Sequence, residues 1–526
     1  MIKANLQLNE YSEALDIFHI IRQNDSNEAL KGFYSIKVYT KVNNLNEKYS
    51  RGDFMQKTKM IFTIGPVSDN EDVLREFIKI GMSAARLNCS HGTQDDHRKK
   101  MDLIKKLREE LGTPTSILLD IKGPKIRTHN FINGEATLHV GDEFSFLCSG
   151  EILGDNKRCS ISYETLCKDV VVGGSMLVDD GLLEFKIKEI KGKEILTEVV
   201  VGGTIKDHKG VNVPNVKINL PAITEKDVND LIFGCNEGVD FVAASFIRKA
   251  SDILEVRKIL NENNGEHIKI IAKIENQEGV DNIDSIIEVT DGIMVARGDM
   301  GVEIPIEKVP IIQKMIIKKC NSAGKIVITA TQMLDSMIRN SRPTRAEACD
   351  ICNAIFDGTD AIMLSGESAS GTYPIEAAKT MSRIALETEA NFDYVSFTNN
   401  LREPSLLAFE DAISYSACRT SNILPTKAIV AATKSGATAK LISKYKPSCP
   451  IVAITPYEKV RRSLSLNFGI IPETCDMFST TDEILSEARK VASSLELATS
   501  GDNILVAAGM PTTHVGGTNM LKIEKL

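Results

Sequence analysis

Two stretches decide the fold: Ile268-Lys-Ile-Ile-Ala-Lys-Ile-Glu275 and, after a helical interval, Asp291-Gly-Ile-Met-Val-Ala-Arg-Gly-Asp299. Each is a short apolar run that ends abruptly in charge. The apolar residues are continuous rather than alternating, which is the pattern of a parallel strand covered on both faces. Similar runs occupy 59–64, 83–87, 116–121, 239–246, 268–274, 291–296, 325–330 and 360–364. Amphipathic stretches such as 69–81 and 252–261 separate most of them. Eight strand–helix units in sequence predict an α/β fold, a (β/α)₈ TIM barrel.

One interval is too long for a simple barrel. Between the third run and the fourth lies an insert over about 129–220, where the period changes to two, as in Ala136-Thr-Leu-His-Val140 and Leu183-Glu-Phe-Lys-Ile-Lys188. Gly173-Gly174, Asp180-Gly181 and Gly202-Gly203 supply turns. The insert reads as a small β-barrel placed to act as a lid, because loops at the C-terminal ends of barrel strands carry function. Beyond 390, Ala428-Ile-Val-Ala-Ala432, Ile451-Val-Ala-Ile-Thr455 and Asn503-Ile-Leu-Val-Ala507 read as buried strands of a small α/β domain. The expected organisation is an N-terminal extension over 1–54, a barrel over 55–128 and 221–390, a lid over 129–220, and a C-terminal α/β regulatory domain over 391–526.

Composition sets bounds. A chain of 526 residues suggests about three domains. Its hydrophobic share of 42% and charged share of 25% are ordinary for a globular protein. The net charge of −8 and the lack of any basic block argue against a nucleic-acid partner. No apolar run approaches the ~20 residues of a membrane-spanning helix. Eleven scattered cysteines are not a disulfide framework and point to a reducing, cytoplasmic setting. Cys349 and Cys352 form a CxxC on a helical stretch, but no second pair stands nearby to complete a zinc site.

The chemistry lies just past the strands, where active sites form in such barrels. Successive runs end in Arg86-Leu-Asn88-Cys-Ser90-His91, Asp120-Ile-Lys122, Lys273-Ile-Glu275, Arg297-Gly-Asp299, Thr329-Ala-Thr331-Gln332 and Ser365-Gly-Glu367. Glu275 and Asp299 are hard oxygen ligands suited to magnesium or manganese, and magnesium takes one or two carboxylates plus substrate oxygens. Lys273 and Arg86 suit an anion, and a phosphoryl group in transfer needs cationic clamps more than a base. No Walker A loop occurs. No serine–histidine pair suggests a nucleophile, and His91 reads as orienting its neighbours.

A family resemblance is carried by Thr63-Ile-Gly-Pro66, Ala85-Arg-Leu-Asn-Cys-Ser-His-Gly92, Leu118-Leu-Asp-Ile-Lys-Gly-Pro-Lys-Ile-Arg-Thr128, Ile270-Ile-Ala-Lys-Ile-Glu-Asn-Gln-Glu-Gly279, Met294-Val-Ala-Arg-Gly-Asp-Met-Gly301, Thr329-Ala-Thr-Gln-Met-Leu334, Arg342-Pro-Thr-Arg-Ala-Glu347 and Met363-Leu-Ser-Gly-Glu367. From about Thr58 onward the chain resembles the pyruvate kinases. The resemblance implies transfer of a phosphoryl group from phosphoenolpyruvate to ADP, giving pyruvate and ATP, in a glycolytic homotetramer. It implies that Glu275 and Asp299 hold the divalent metal, that Lys273 stabilises the phosphoryl group, and that Arg86 binds phosphate. Backbone amides of Gly298 and Asp299 would bind the carboxylate, Thr331 would help deliver a proton, and Arg127 and Lys209 would contact the nucleotide.

The resemblance also implies a monovalent-cation pocket at Asn88, Ser90, Asp120 and Ile121. Here the chain departs from potassium-dependent relatives, which have glutamate at the position of Lys125 and usually threonine at that of Ile121. An ammonium beside the pocket supplies the charge that potassium brings and repels the ion. The expectation is that K⁺ is not required. In the C-terminal region, Thr433-Lys434-Ser435-Gly436-Ala-Thr438 resembles the phosphate loop of the family's allosteric site for a sugar-phosphate or nucleotide effector. The absence of tryptophan removes a second phosphate clamp that some members have and leaves the effector's identity open.

Two other readings compete. A lyase on the same barrel would not need the insert or the C-terminal domain, and a metabolite sensor without activity would not need Lys273, Glu275, Asp299 and Thr331 intact. Residues 1–54 are polar and asparagine-rich, unlike a signal or transit peptide. They are expected to be a loosely ordered extension or a start assigned too early. Mass spectrometry of the native N-terminus decides, and an intact Met1 sequence would sink the second possibility.

Overall fold

The computed structural model describes residues 56–401 apart from 215, 217 and 219, together with 408–510 and 517–526. The expectation for 1–54 lies outside the described residues.

The eight barrel strands are β1 Lys59–Thr63, β2 Met82–Asn88, β3 Ser116–Ile121, β4 Phe241–Ala244, β5 Lys269–Ile274, β6 Gly292–Ala296, β7 Ile326–Ala330 and β8 Ala361–Leu364. They close into one all-parallel barrel in which each strand neighbours the next and β8 returns to β1. Alternate residues face opposite sides, as a strand requires. Ile61, Ala84, Leu118, Ala243, Ile271, Met294, Ile328 and Met363 fill the interior, while their neighbours pack outward against the helices. This double burial explains why the runs are apolar without alternation.

The floor of the barrel is built by a repeated device. The carboxylates of Asp240, Asp291 and Asp360 precede β4, β6 and β8, and each accepts an N–H at the start of the preceding odd strand. The donors are Ile117 (2.9 Å), Ile270 (3.0 Å) and Val327 (2.9 Å). The Ser83 hydroxyl does the same for Met60 in the first pair (3.3 Å). Backbone donors that the strand ladder leaves open are thereby satisfied inside the protein.

Two of these aspartates also reach the C-terminal domain. Arg462 pairs with Asp240 (2.7 Å) and Lys446 with Asp360 (2.5 Å). Leu466 joins the apolar residues at the floor, and the hydroxyls of Ser465 and Ser116 meet at 2.5 Å. The C-terminal domain itself is a five-stranded sheet made of β9 Thr426–Ala432, β10 Ile451–Thr455, β11 Ile470–Thr474, β12 Asn503–Gly509 and β13 Thr518–Lys525. Its order is β11-β10-β9-β12-β13, with only β13 antiparallel.

The insert forms a seven-stranded sheet and a two-stranded ribbon around its own apolar core. The two ends of that sheet meet at a Thr128–Ile161 bridge, so it curls towards closure. Its first strand is Ile126–Arg127, paired with Gly210–Asn212, so the sheet begins slightly before the expected boundary at 129. The insert leaves and returns beside one carboxylate. Asp227 accepts the N–H of Gly123 on the outgoing chain (3.0 Å) and caps the returning helix Glu225–Glu237 through Thr224 (2.6 Å). Gly123 has φ +69°, and an added Cβ would lie 2.9 Å from Ser245, so this turn needs glycine.

Lys446 and Asp360 are both buried. Asp360→Ala strands the Lys446 ammonium and is expected to cost about 3–5 kcal/mol, read as a fall in the urea midpoint. Asp360→Asn combined with Lys446→Met should recover most of the loss. A single variant as stable as the parent would show that the pair does not hold the domains.

Candidate functional site

The interior-facing ladder of each strand changes from apolar to polar at one level. Above Ile61, Ala84, Leu118, Ala243 and Ile271 come Thr63, Arg86, Asp120, Ser245 and Lys273, two residues further along each strand. These five make one network. Arg86 pairs with Asp120 through Nη2 and Nε, both at 2.7 Å, and donates to the Thr63 hydroxyl (2.9 Å). Lys273 Nζ contacts Asp120 (3.2 Å), Glu275 (3.1 Å) and the Ser245 hydroxyl (2.7 Å). Asp120 and Glu275 are each 1% exposed, so two carboxylates and two cations balance one another out of water.

Electrostatics follow from this packing. Burial alone would push the Asp120 carboxyl up, but Lys273 and Arg86 outweigh it and hold the group below the usual range. Burial works against the Lys273 ammonium, yet Asp120 and Glu275 keep it charged well above the ordinary lysine value. Glu275 moves upward, first through burial and then through Asp299, with Lys273 opposing. Its other oxygen accepts the N–H of Phe246 (2.5 Å), a residue bent to φ +56°.

Asp299 stands on the adjacent strand end, at the start of the helix Arg297–Glu303. Among the described residues no group of three or more His, Cys, Asp or Glu converges. A hard cation here would therefore have Glu275 and Asp299, with the remaining positions left to water or substrate, which suits magnesium. The Gly298 N–H donates to the Thr331 hydroxyl (2.8 Å), and that hydroxyl donates to the Ala330 carbonyl (2.6 Å). Thr331 has φ +68° and Gln332 φ +55°. Two successive left-handed residues, one of them β-branched, carry strain of about 1–3 kcal/mol each.

Lys125 bridges the barrel rim and the lid. Its ammonium contacts Asp299 (3.1 Å) and, on the lid, Asp180 (3.2 Å). None of its polar partners is Asn88, Ser90, Asp120 or Ile121, because the chain turns at Gly123 and aims the side chain across the rim. Within that group of four, Asn88 accepts the Ser90 N–H (3.0 Å) and the Ile121 carbonyl accepts the Ser245 hydroxyl (2.7 Å).

On the lid, Lys209 pairs with Asp179 (2.8 Å), and Arg127 donates to the His208 carbonyl (2.8 Å) while its Nε is buried without a partner. In the C-terminal domain, Gly436 has φ +85° and its N–H donates to the Thr433 hydroxyl (2.9 Å). Thr433, Lys434, Ser435 and Thr438 line a cleft together with Met477 and Phe478. Thr438 is buried with its hydroxyl on Thr518 (2.7 Å).

Thr63 and Ser245 were not among the residues picked out from the strand ends. Ser245 was submerged in the apolar run 239–246. The signal that finds both is the two-residue step from an interior apolar position, applied to every strand.

Family profiles described as "Pyruvate kinase, barrel domain" and "Pyruvate kinase, alpha/beta domain" match residues 55–378 and 411–524. A pyruvate kinase of Clostridium perfringens is 72% identical over 474 residues, covering 90% of this chain and all of that protein. One of Clostridium acetobutylicum is 55% identical over 470 residues, covering 89% and 99%. A crystal structure of a pyruvate kinase from Cryptosporidium parvum superposes with a TM-score of 0.85 at 39% identity, covering 89% of this chain and 96% of that one.

Asp120→Asn removes the charge that two buried cations share and should cost about 3–5 kcal/mol. Because the Asp120 carboxyl is held low in the folded chain, its stabilisation is present above the ordinary carboxylate value of about 3.9 and lost as pH falls below it. Urea midpoints of the parent should therefore drop more steeply between pH 5 and pH 3 than those of Asp120→Asn. Parallel profiles would contradict this.

Proposed function

The chain belongs to the pyruvate kinase family, a family of phosphotransferases, and from that membership we propose that it carries the phosphoryl group of phosphoenolpyruvate to ADP, giving pyruvate and ATP as the last step of glycolysis. The observation that carries this reading is Lys273 held between Asp120 and Glu275, with Asp299 on the next strand end. In the reaction, the bond from phosphorus to the enol oxygen breaks, a bond to a terminal oxygen of ADP forms, and the enolate carbon takes up a proton.

Lys273 would place a fixed positive charge on the phosphoryl group in flight. Its pairing with Asp120 and Glu275 supports this, since a group already oriented need not reorganise when charge develops. Arg86, anchored by Asp120 and Thr63, would bind the phosphate oxygens. Magnesium or manganese, held by Glu275 and Asp299, would polarise the substrate oxygens. The Gly298 and Asp299 amides at a helix start suit the substrate carboxylate, and the Gly298 N–H would have to exchange the Thr331 hydroxyl for it. That hydroxyl, once released, would serve the proton transfer to the enolate carbon. Arg127 and Lys209 would take the nucleotide phosphates, Lys209 leaving Asp179 to do so.

The lid, hinged at Asp227, would close over the rim and exclude water. Lys125 would make potassium dispensable by supplying a permanent positive charge at the rim, acting from Asp299 rather than from within the Asn88, Ser90, Asp120 and Ile121 group. The Thr433–Thr438 loop would receive the phosphate of a sugar-phosphate or nucleotide effector. The domain boundaries inferred from sequence, a homotetrameric assembly and a cytoplasmic location complete the reading.

A coupled assay for pyruvate tests it, and the absence of magnesium-dependent turnover would end it. Lys273→Ala should lower kcat by about 10²–10³-fold, as for loss of one preorganised donor. Replacing potassium by tetramethylammonium should change the rate less than tenfold; a larger drop would remove the role given to Lys125.

A further inference from the structure

The Thr331 turn is held from behind by a residue that touches neither carboxylate of the rim. The Arg297 guanidinium, at the end of β6, donates to the Thr331 carbonyl (2.7 Å) and to the Ala330 carbonyl (3.3 Å). It also meets the Met333 sulfur (2.8 Å). Its remaining nitrogen, Nη1, is shared between the two carboxylate oxygens of Asp350, at 2.8 and 2.6 Å, with the Gln313 oxygen at 3.4 Å. Asp350 belongs to the helix Arg345–Phe356, which follows β7. That helix is fixed at its start by Thr344 and Glu347, and Glu347 also holds Ser336 through its N–H (2.7 Å) and hydroxyl (2.6 Å). A rigid chain of contacts thus runs from the helix to the strained turn.

We propose that Arg297 and Asp350 are a positioning pair for the proton-transfer half of the reaction. Three observations point this way. Thr331 and Gln332 are not glycine, yet both have left-handed backbones, and such a turn persists only where its surroundings over-determine it. Arg297 takes both carbonyls that the turn directs backward, and a guanidinium fork fits two neighbouring acceptors as no other side chain does. The Ala330 carbonyl accepts from Arg297 and from the Thr331 hydroxyl together. Sharing that acceptor weakens its hold on the hydroxyl proton, so that less is lost when the hydroxyl turns from the Ala330 carbonyl to a substrate carbon. Asp350 sets the guanidinium plane, so its effect reaches Thr331 only through Arg297.

The proposal rests on the role given to Thr331 above, and the experiment separates the two. Exchange of the pyruvate methyl protons into deuterated water, followed by proton NMR with magnesium and ATP present, reports proton transfer alone. The coupled assay reports the full reaction. Asp350→Asn should lower the exchange rate and kcat by tenfold or more, with KM for phosphoenolpyruvate changed less than twofold. Asp350→Glu should recover most of both rates. Arg297→Lys, which keeps the charge but loses the fork, should behave like Asp350→Asn and carries the test if that variant does not fold. Folded Asp350→Asn or Arg297→Lys protein with parental exchange overturns the proposal, as does a rise in KM as large as the fall in kcat. A parent enzyme that turns over without any methyl exchange overturns the Thr331 reading instead.

Discussion

Asp120 and Lys273 could not stay charged where they are without each other and without Arg86 and Glu275. All four lie at the level where the barrel interior passes from apolar to polar, with little water to solvate them. Moving isolated charges of this kind out of water costs several kcal/mol each, so the cluster is stable only as a set. The constraint spreads outward. Ser245 must bring its hydroxyl to Lys273, Phe246 must bend to offer its N–H to Glu275, and Gly123 must turn sharply beside Ser245. That turn then decides where the lid leaves the barrel and where Lys125 points.

The other end of the barrel obeys the same rule with a different outcome. Asp240, Asp291 and Asp360 satisfy strand N–H groups at the floor, and two of them are countered by Arg462 and Lys446 from the C-terminal domain. The rim that holds Lys273 and Glu275 faces the inserted domain, whose two connections to the barrel both pass Asp227. The floor is sealed by buried ion pairs and by Leu466. The floor is thus closed by ion pairs, while the rim carries the inserted domain. A signal from the C-terminal cleft would have to pass through the sealed face, since the helix Ala437–Lys444 that borders the cleft leads directly to Lys446 and Asp360.

Strain is placed at the end of β7, beside the start of the helix that carries Asp299. The Thr331–Gln332 turn bears two left-handed residues and is braced by Arg297, which is in turn braced by Asp350. Lys125, bound to Asp299 and to Asp180, ties the proposed metal carboxylate to the inserted domain. A metal bound at Asp299 would compete with the lid for this one ammonium.

The fold could be read from the chain with little loss. Eight apolar runs without alternation, a change to period two, and a return to buried strands are local properties, because strand burial and turn chemistry are written in neighbouring residues. The charged strand ends were legible for the same reason: charge that ends an apolar run is visible in one dimension. What the chain alone could not give was which charges meet. Lys125 was placed beside Asn88, Ser90 and Asp120 by resemblance, and the contacts it makes, to Asp299 and Asp180 far along the chain, could not be read from its neighbours in sequence. Thr63 and Ser245 are inconspicuous as residues and become parts of the site only when barrel closure sets them at the level of Lys273. Arg297 and Asp350 are 53 residues apart and meet only once β6 and the helix after β7 are both in place. Proximity across strands depends on barrel register and on the path of connecting turns, and these are settled when distant buried groups find one another.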